Sequence, residues 1–363
     1  MQKQINWHLS LILILAAALG FFAGIVGYSV IGWWDNDIPF VGEISFVDTG
    51  LDRNIFIDRP RSVVVKQDLN IRQVQNAVLS SLINVYSSNS LTRAVDMAYL
   101  PGDILAQGVV LTNDGWSVVS ASGISNLLAE YSAVGYQNNQ YQLTNFINDP
   151  ATGLMFGRMD QADNLPVAEL GRSSELNIGQ GVVVVSERNK IFLARIIKIG
   201  NDFQNKTEIV QSSDELNKRI FIDIGLDDSF EGAVVANLKG EVVGIVADGM
   251  IVPVDYFQSV IGQILEDQEI SRASMGVNYI DLSQVEGLVT IGERGALVYG
   301  HPLVASSAYR KVKSDDIIVK VNDEEVGVYS SLSELLLKYR SGQEIELLVL
   351  RHGQEMKISI ILK

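Results

Sequence analysis

Cysteine is absent from the chain. Its absence excludes disulfides, thiol nucleophiles and thiolate-bound zinc, and leaves the redox compartment open. Histidine is almost as scarce: the three are His8, His301 and His352, so residues 9–300 contain no imidazole. Positive charge is short as well. The chain has 28 Lys and Arg against 43 Asp and Glu, a formal net charge of −15 over 363 residues. With no long basic run to neutralise phosphates, nucleic acid is not an expected partner. Residues 9–34, LSLILILAAALGFFAGIVGYSVIGWW, carry no charged side chain of either sign.

That uncharged run is the first positive feature. About 20 apolar residues at about 1.5 Å each cross the hydrocarbon core of a bilayer, and Trp33 and Trp34 suit the interface. A cleaved signal peptide is the rival reading, with small residues at Ala16, Ala17 and Ala18. The run is longer than an h-region of roughly 7–15 residues, so an uncleaved transmembrane helix over 9–34 is expected. Lys3 precedes it and Asp35, Asp37 and Glu43 follow it. This bias puts residues 1–8 in the cytoplasm and the bulk of the chain outside, on a single-pass cell-membrane anchor.

Residues 35–70 read as a juxtamembrane linker with a strand at 62–66. The spacing of Ile71, Val74, Ala77, Val78 and Leu82 predicts a helix over 69–82. From residue 106 the pattern is strand after strand. A hairpin over 108–124 turns at Asn113, Asp114 and Gly115, residue types that accept the positive φ of tight turns. Further strands are expected at 134–143, 154–158, 181–186, 191–199, 221–224, 233–236 and 242–246, then a helix over 251–265. Many short strands with frequent turn signals predict a mainly β chain, an antiparallel barrel or sandwich. Residues 272–363 have a rhythm of their own, five or so strands and one helix at 332–340, which predicts a separate small domain.

Four stretches carry a family resemblance. Residues 108–124 read GVVLTNDGWSVVSASGI, residues 149–154 DPATGL, and residues 165–176 LPVAELGRSSEL with Gly179. The fourth, residues 221–246, joins Asp223 and Glu231 to a hairpin containing Asn237, Gly240, Glu241, Val242, Gly244 and Ile245. In this order they resemble the HtrA/DegP-like serine proteases. The resemblance implies a trypsin-like double β-barrel over 71–268 followed by a PDZ domain over 272–363. Ser274, Met275, Gly276 and Val277 match the PDZ carboxylate-binding loop, and residues 316–322 its core, with Asp315 where Gly is usual. It also implies binding of protein or peptide C-termini as an added strand beside 275–280, self-association as a trimer, and neither cofactor nor metal.

Carried over residue by residue, the catalytic positions are degenerate. Ser122 stands in the His slot, Gly153 in the Asp slot and Glu231 in the Ser slot, while Ser229 replaces the glycine whose amide helps form the oxyanion hole. The triad needs an imidazole to take the serine proton and return it to the leaving amine, and the barrel region has none. The connection at 187–190 is also shorter than the family's. A Ser–Lys dyad of Ser229 and Lys190 is a conceivable replacement. Asp223, Asp227, Asp228 and Glu231 could chelate a hard cation or act as paired acids, against the plainer reading of a solvated acidic loop. The leading expectation is a membrane-anchored extracytoplasmic pseudoprotease acting through its PDZ domain in envelope quality control, as a scaffold or regulator. An active serine endopeptidase and a regulatory subunit of active relatives are the alternatives, and the PDZ fold could serve packing alone.

Overall fold

The computed structural model describes residues 15–20, 67–88, 98–124, 126–186, 190–201, 207–287, 294–327 and 330–363. The chain divides into two compact units, residues 1–63 and 64–363. In the first, residues 15–20 are helical. The rest of the apolar run at 9–34 and the strand expected at 62–66 lie outside the described residues. No described helix is long and apolar enough to cross a membrane.

The second unit opens with α1 (Gln67–Ser81), close to the helix expected over 69–82. Val74 and Val78, one turn apart, are buried in the core shared by the two barrels, as an apolar stripe at helical spacing requires. Six antiparallel strands follow: β1 (Leu82–Ser87), β2 (Ala106–Val110), β3 (Trp116–Ser120), β4 (Tyr131–Val134), β5 (Gln140–Asp149) and β6 (Leu154–Met159). They close into a barrel in the order β1-β2-β3-β6-β5-β4. Side chains alternate along each strand. Val119 and Met155 fill the core of this barrel with Ile83, Val85 and Ala133, while Val118, Leu154 and Phe156 join the shared core. The single strand expected at 134–143 is instead a hairpin. Gln137 and Asn138 take φ of 58° and 60° between β4 and β5, a left-handed turn that polar residues tolerate and a strand cannot contain.

The second barrel is built from β7 (Gly181–Ser186), β8 (Lys190–Gly200), β10 (Arg219–Ile222), β11 (Val234–Asn237), β12 (Val242–Ala247) and β13 (Met250–Pro253), with β9 (Val210–Ser212) intervening in the sequence. It closes as β10-β13-β12-β11-β7-β8. The helix expected over 251–265 starts later than its apolar spacing suggested. Ile251 and Val252 pair with Val246 and Ile245, because closing the barrel satisfies their backbone groups. Pro253 then caps α2 (Val254–Gln258), and α3 (Ile261–Asp267) follows. Tyr256, Phe257 and Ile264 from these helices pack into the core shared by both barrels.

The remaining strands are β14 (Asn278–Asp281), β15 (Ala296–Val298), β16 (Ile317–Val321), β17 (Glu324–Glu325), β18 (Glu344–Arg351) and β19 (Gln354–Ile361), with α4 (Leu332–Leu336) before β18. They form a sheet ordered β19-β18-β16-β15-β14-β9, with β17 on β16. Thus β9 leaves the second barrel and completes the edge of this sheet. Met275, Val277, Tyr279, Ile318, Leu335 and Leu347 belong to its own core. A reciprocal Ser331–Glu334 capping box starts α4. The helix ends well before Arg340, and Gly342 at φ 86° turns the chain back toward β18. Asp315 occupies the glycine-like position before β16 with φ 67°.

Candidate functional site

The slots singled out at Ser122, Gly153 and Glu231 come together where the barrels meet. Ser120 ends β3, Gly153 precedes β6, Glu231 ends the loop before β11, and Asp248 lies in the β12–β13 turn. The Ala121 amide donates to Gly153 O at 3.0 Å, tying the end of β3 to the Gly153 turn. Ser120 is buried, and its hydroxyl donates to Glu231 Oε1 across the barrel boundary. The Asp248 amide donates to the same carboxylate oxygen at 3.2 Å. Ser122 is exposed, with Oγ 3.2 Å from Ser120 Oγ. Gly153 has φ 72°, and a Cβ there would stand 3.1 Å from Asp248 Oδ2. Glu231 therefore acts as a bolt: a carboxylate on the second barrel held by a hydroxyl of the first. Ser120 and Asp248 were not legible as its partners in the sequence, because nothing local marks a serine or a backbone amide that a distant carboxylate will find.

The loop that carries Glu231 folds inward. Asp227 caps a short 3-10 turn at Asp228–Phe230. Its Oδ1 accepts from the Ser229 amide at 3.0 Å and from Ser229 Oγ at 2.6 Å. The Phe230 amide donates to Asp227 O at 2.9 Å, the Glu231 amide to Asp228 O at 3.2 Å, and the Gly232 amide to Val246 O at 2.9 Å. Phe230 anchors the turn against Phe192, with ring centroids 5.0 Å apart. Gly232 is required where it stands: its φ is 75°, and a Cβ would lie 2.5 Å from Gln107 O of the first barrel. Hydrogen bonds from the Ser229 hydroxyl and then its amide hold the Asp227 carboxyl below its ordinary value.

An oxyanion site needs amide donors aimed at the place where charge develops. Here the amides of Ser229, Phe230 and Glu231 all donate within the turn, and Glu231 adds a carboxylate. Ser229 Oγ is engaged by Asp227, and Lys190 is exposed, whereas a Lys serving as a base must be desolvated. His301 and His352 are exposed in the C-terminal part. Three acidic residues of the loop take separate partners: Asp223 accepts from the Arg195 amide at 2.7 Å, Asp227 from Ser229, and Glu231 from Ser120 and the Asp248 amide. Among the described residues no group of three or more His, Asp or Glu could hold a metal ion.

The second predicted site, Ser274–Val277 by number 274–277, lies at the head of β14. Met275, Gly276 and Val277 are buried and Ser274 is half-buried. Asp214 Oδ1 accepts from the Met275 amide at 2.8 Å and the Gly276 amide at 3.1 Å. Its Oδ2 accepts from the Gly276 amide at 3.1 Å and from Ser274 Oγ at 2.6 Å. Next to it the Val277 amide donates to Ser213 Oγ at 3.0 Å, and the Ser213 amide to Val277 O at 2.8 Å. Gly276 has φ 71°, and a Cβ would come within 2.3 Å of Ser306 Cβ. The loop is thus a carboxylate receptor in geometry, and the carboxylate it holds is Asp214. β9 continues the contact by pairing antiparallel with β14, Ser212 opposite Asn278 and Gln211 opposite Tyr279. Burial pushes the Tyr279 phenol up to about 12, and its oxygen lies 3.4 Å from both Ser333 Oγ and Gln211 Oε1. Sequence reasoning singled out residues 274–277 but not Ser213 and Asp214, which meet them from some 60 residues earlier in the chain.

No protein-family model matches the chain. It is 27% identical over 217 residues to a probable periplasmic DegP-like serine endoprotease of Hahella chejuensis, covering 55% of this chain and 45% of that protein. It is 26% identical over 220 residues to the serine protease Do-like HtrB of Bacillus subtilis, covering 54% and 48%. The chain spans about half the length of these curated relatives. Among solved structures it is similar to the HtrA-type protease AlgW with decapeptide, at TM-score 0.56 and 18% identity over 80% of this chain and 97% of that one. The AlgW structure with tripeptide gives TM-score 0.57 at 17% identity, over 80% and 96%.

Proposed function

We propose, for a chain that belongs with the HtrA/DegP-like serine proteases, a non-catalytic role: a membrane-anchored, extracytoplasmic pseudoprotease that binds polypeptide C-termini through a PDZ-type C-terminal domain. One observation carries the non-catalytic half. Glu231, in the nucleophile slot, is tied across the barrels to Ser120 while the neighbouring amides 229–231 donate within their own turn. A hydrolytic site needs a nucleophile, a proton carrier and preorganised donors for the oxyanion. The slots hold Glu231, Ser122 and an inward-folded loop.

The binding half is supported by the carboxylate-receiving geometry at 274–277 at the head of β14, whose outer side takes an antiparallel strand. Main-chain pairing would supply affinity and the amide nest would select a free carboxylate. The HtrA-type neighbours solved with a decapeptide and a tripeptide agree with a peptide ligand. The uncharged run at 9–34 supports the anchor, and the periplasmic DegP-like relatives support an extracytoplasmic location.

The test uses the full chain in detergent with unfolded casein and with one fluorescent peptide made as free acid and as C-terminal amide. The expected result is intact casein and binding of the acid alone. Casein fragments that vanish on Ser229→Ala would overturn the non-catalytic reading. Equal binding of acid and amide would overturn the peptide-terminus reading.

A further inference from the structure

The groove read above as a peptide site is filled by the chain itself. β9 adds to β14 as an antiparallel strand, which is how an extended ligand joins a sheet edge. At its end, the Asp214 carboxylate sits on the Met275 and Gly276 amides and on Ser274 Oγ, where a C-terminal carboxylate would sit. We infer that residues 210–214 are a built-in competitor for the peptide groove, so that a polypeptide with a free C-terminal carboxylate binds only by displacing β9 and Asp214. The inference rests on the peptide-binding reading of the same groove.

Three features fit a displaceable occupant better than a permanent strand. The pairing is short, three residues of β9 against β14. The carboxylate on the nest belongs to Asp214, an exposed residue in a continuous chain, so a terminal carboxylate can replace it without breaking a buried ion pair. Gln211 is buried beneath the strand, yet its Nε2 has no partner among the described residues, so the occupant leaves a polar cost that a better-matched ligand removes. Tethering offsets these defects. Both ends of the connection are fixed in the second barrel, by β8 at Gly200 and β10 at Arg219, so the segment competes at an effective concentration on the order of mM.

The chain has no cysteine, which allows a clean lock. Ser212 and Asn278 face each other across the β9–β14 pair, and facing residues of an antiparallel pair have the spacing a disulfide needs. The probe is a fluorescein-labelled octapeptide KTEIVQSS, the chain's own residues 206–213, as free acid and as amide. It is titrated into the full chain, the Asp214→Ala variant and the Ser212→Cys/Asn278→Cys variant, oxidised and reduced. The expected result is acid-selective binding at least tenfold tighter in Asp214→Ala than in the unmodified chain, lost on oxidation of the lock and restored by reduction. Equal affinity in the unmodified chain and Asp214→Ala, or in the oxidised and reduced lock, overturns the competitor while acid-selective binding preserves the groove. Binding in no form, or binding indifferent to amidation, overturns the groove reading and the competitor together.

Discussion

At the scale of single residues, Glu231 and Ser229 are points of attachment. Glu231 accepts from the buried Ser120 hydroxyl and the Asp248 amide. Removing the carboxylate leaves Ser120 without that acceptor, so Glu231→Ala should cost about 1–3 kcal/mol of stability, read as a lower denaturant midpoint with no gain in casein cleavage. Ser229 does a different job, stabilising ionised Asp227. Because the folded carboxyl lies below its unfolded value, its contribution to stability is present above the unfolded pKa and lost as pH falls through the folded one. Ser229→Ala should therefore move the Asp227 titration up toward the ordinary value in a carboxyl ¹³C NMR titration; an unchanged midpoint would contradict that assignment. The identities at Ser122, Gly153, Ser229 and Glu231 were readable in the sequence because flanking hairpin residues fix their register. Their present partners were not, since Ser120 and Asp248 are reached only through the fold.

Among the elements, the junction before β14 is held by Arg272. Its guanidinium pairs with Asp149 at the end of β5 and donates to Tyr256 O at 3.1 Å and Ser259 Oγ at 3.3 Å. Asp149 is 1% exposed, so Arg272→Ala would strand a buried carboxylate. The expected loss is about 3–5 kcal/mol, seen in chemical denaturation, with part recovered when Asp149→Asn is added. No recovery in the double variant would mean that Arg272 acts by packing alone. The strand alternation and the Asn113–Gly115 turn signals made most strands legible. The misreadings came where tertiary pairing overrode local spacing. Ile251 and Val252 fit a helical face, yet β12 offers them a ladder that closes the barrel. Gln137 and Asn138 sit in what looked like one strand, and only their left-handed φ reveals the turn.

Across residues 64–363, two closed barrels and the C-terminal sheet form one compact unit. The fold class was legible because many short alternating segments and their turn residues agree with one another. The exchange of β9 from the barrel region to the C-terminal sheet was not, since a three-residue strand carries no signal of its partner. The proposed function gives this double-barrel assembly a binding role, with the junction of the barrels bolted by Glu231. Its most direct test is intact-mass spectrometry of the full chain after exposure to a fluorophosphonate, which reports any activated serine. The account predicts an unmodified mass. A stoichiometric adduct on a serine, lost when Ser229 is changed to Ala, would contradict it.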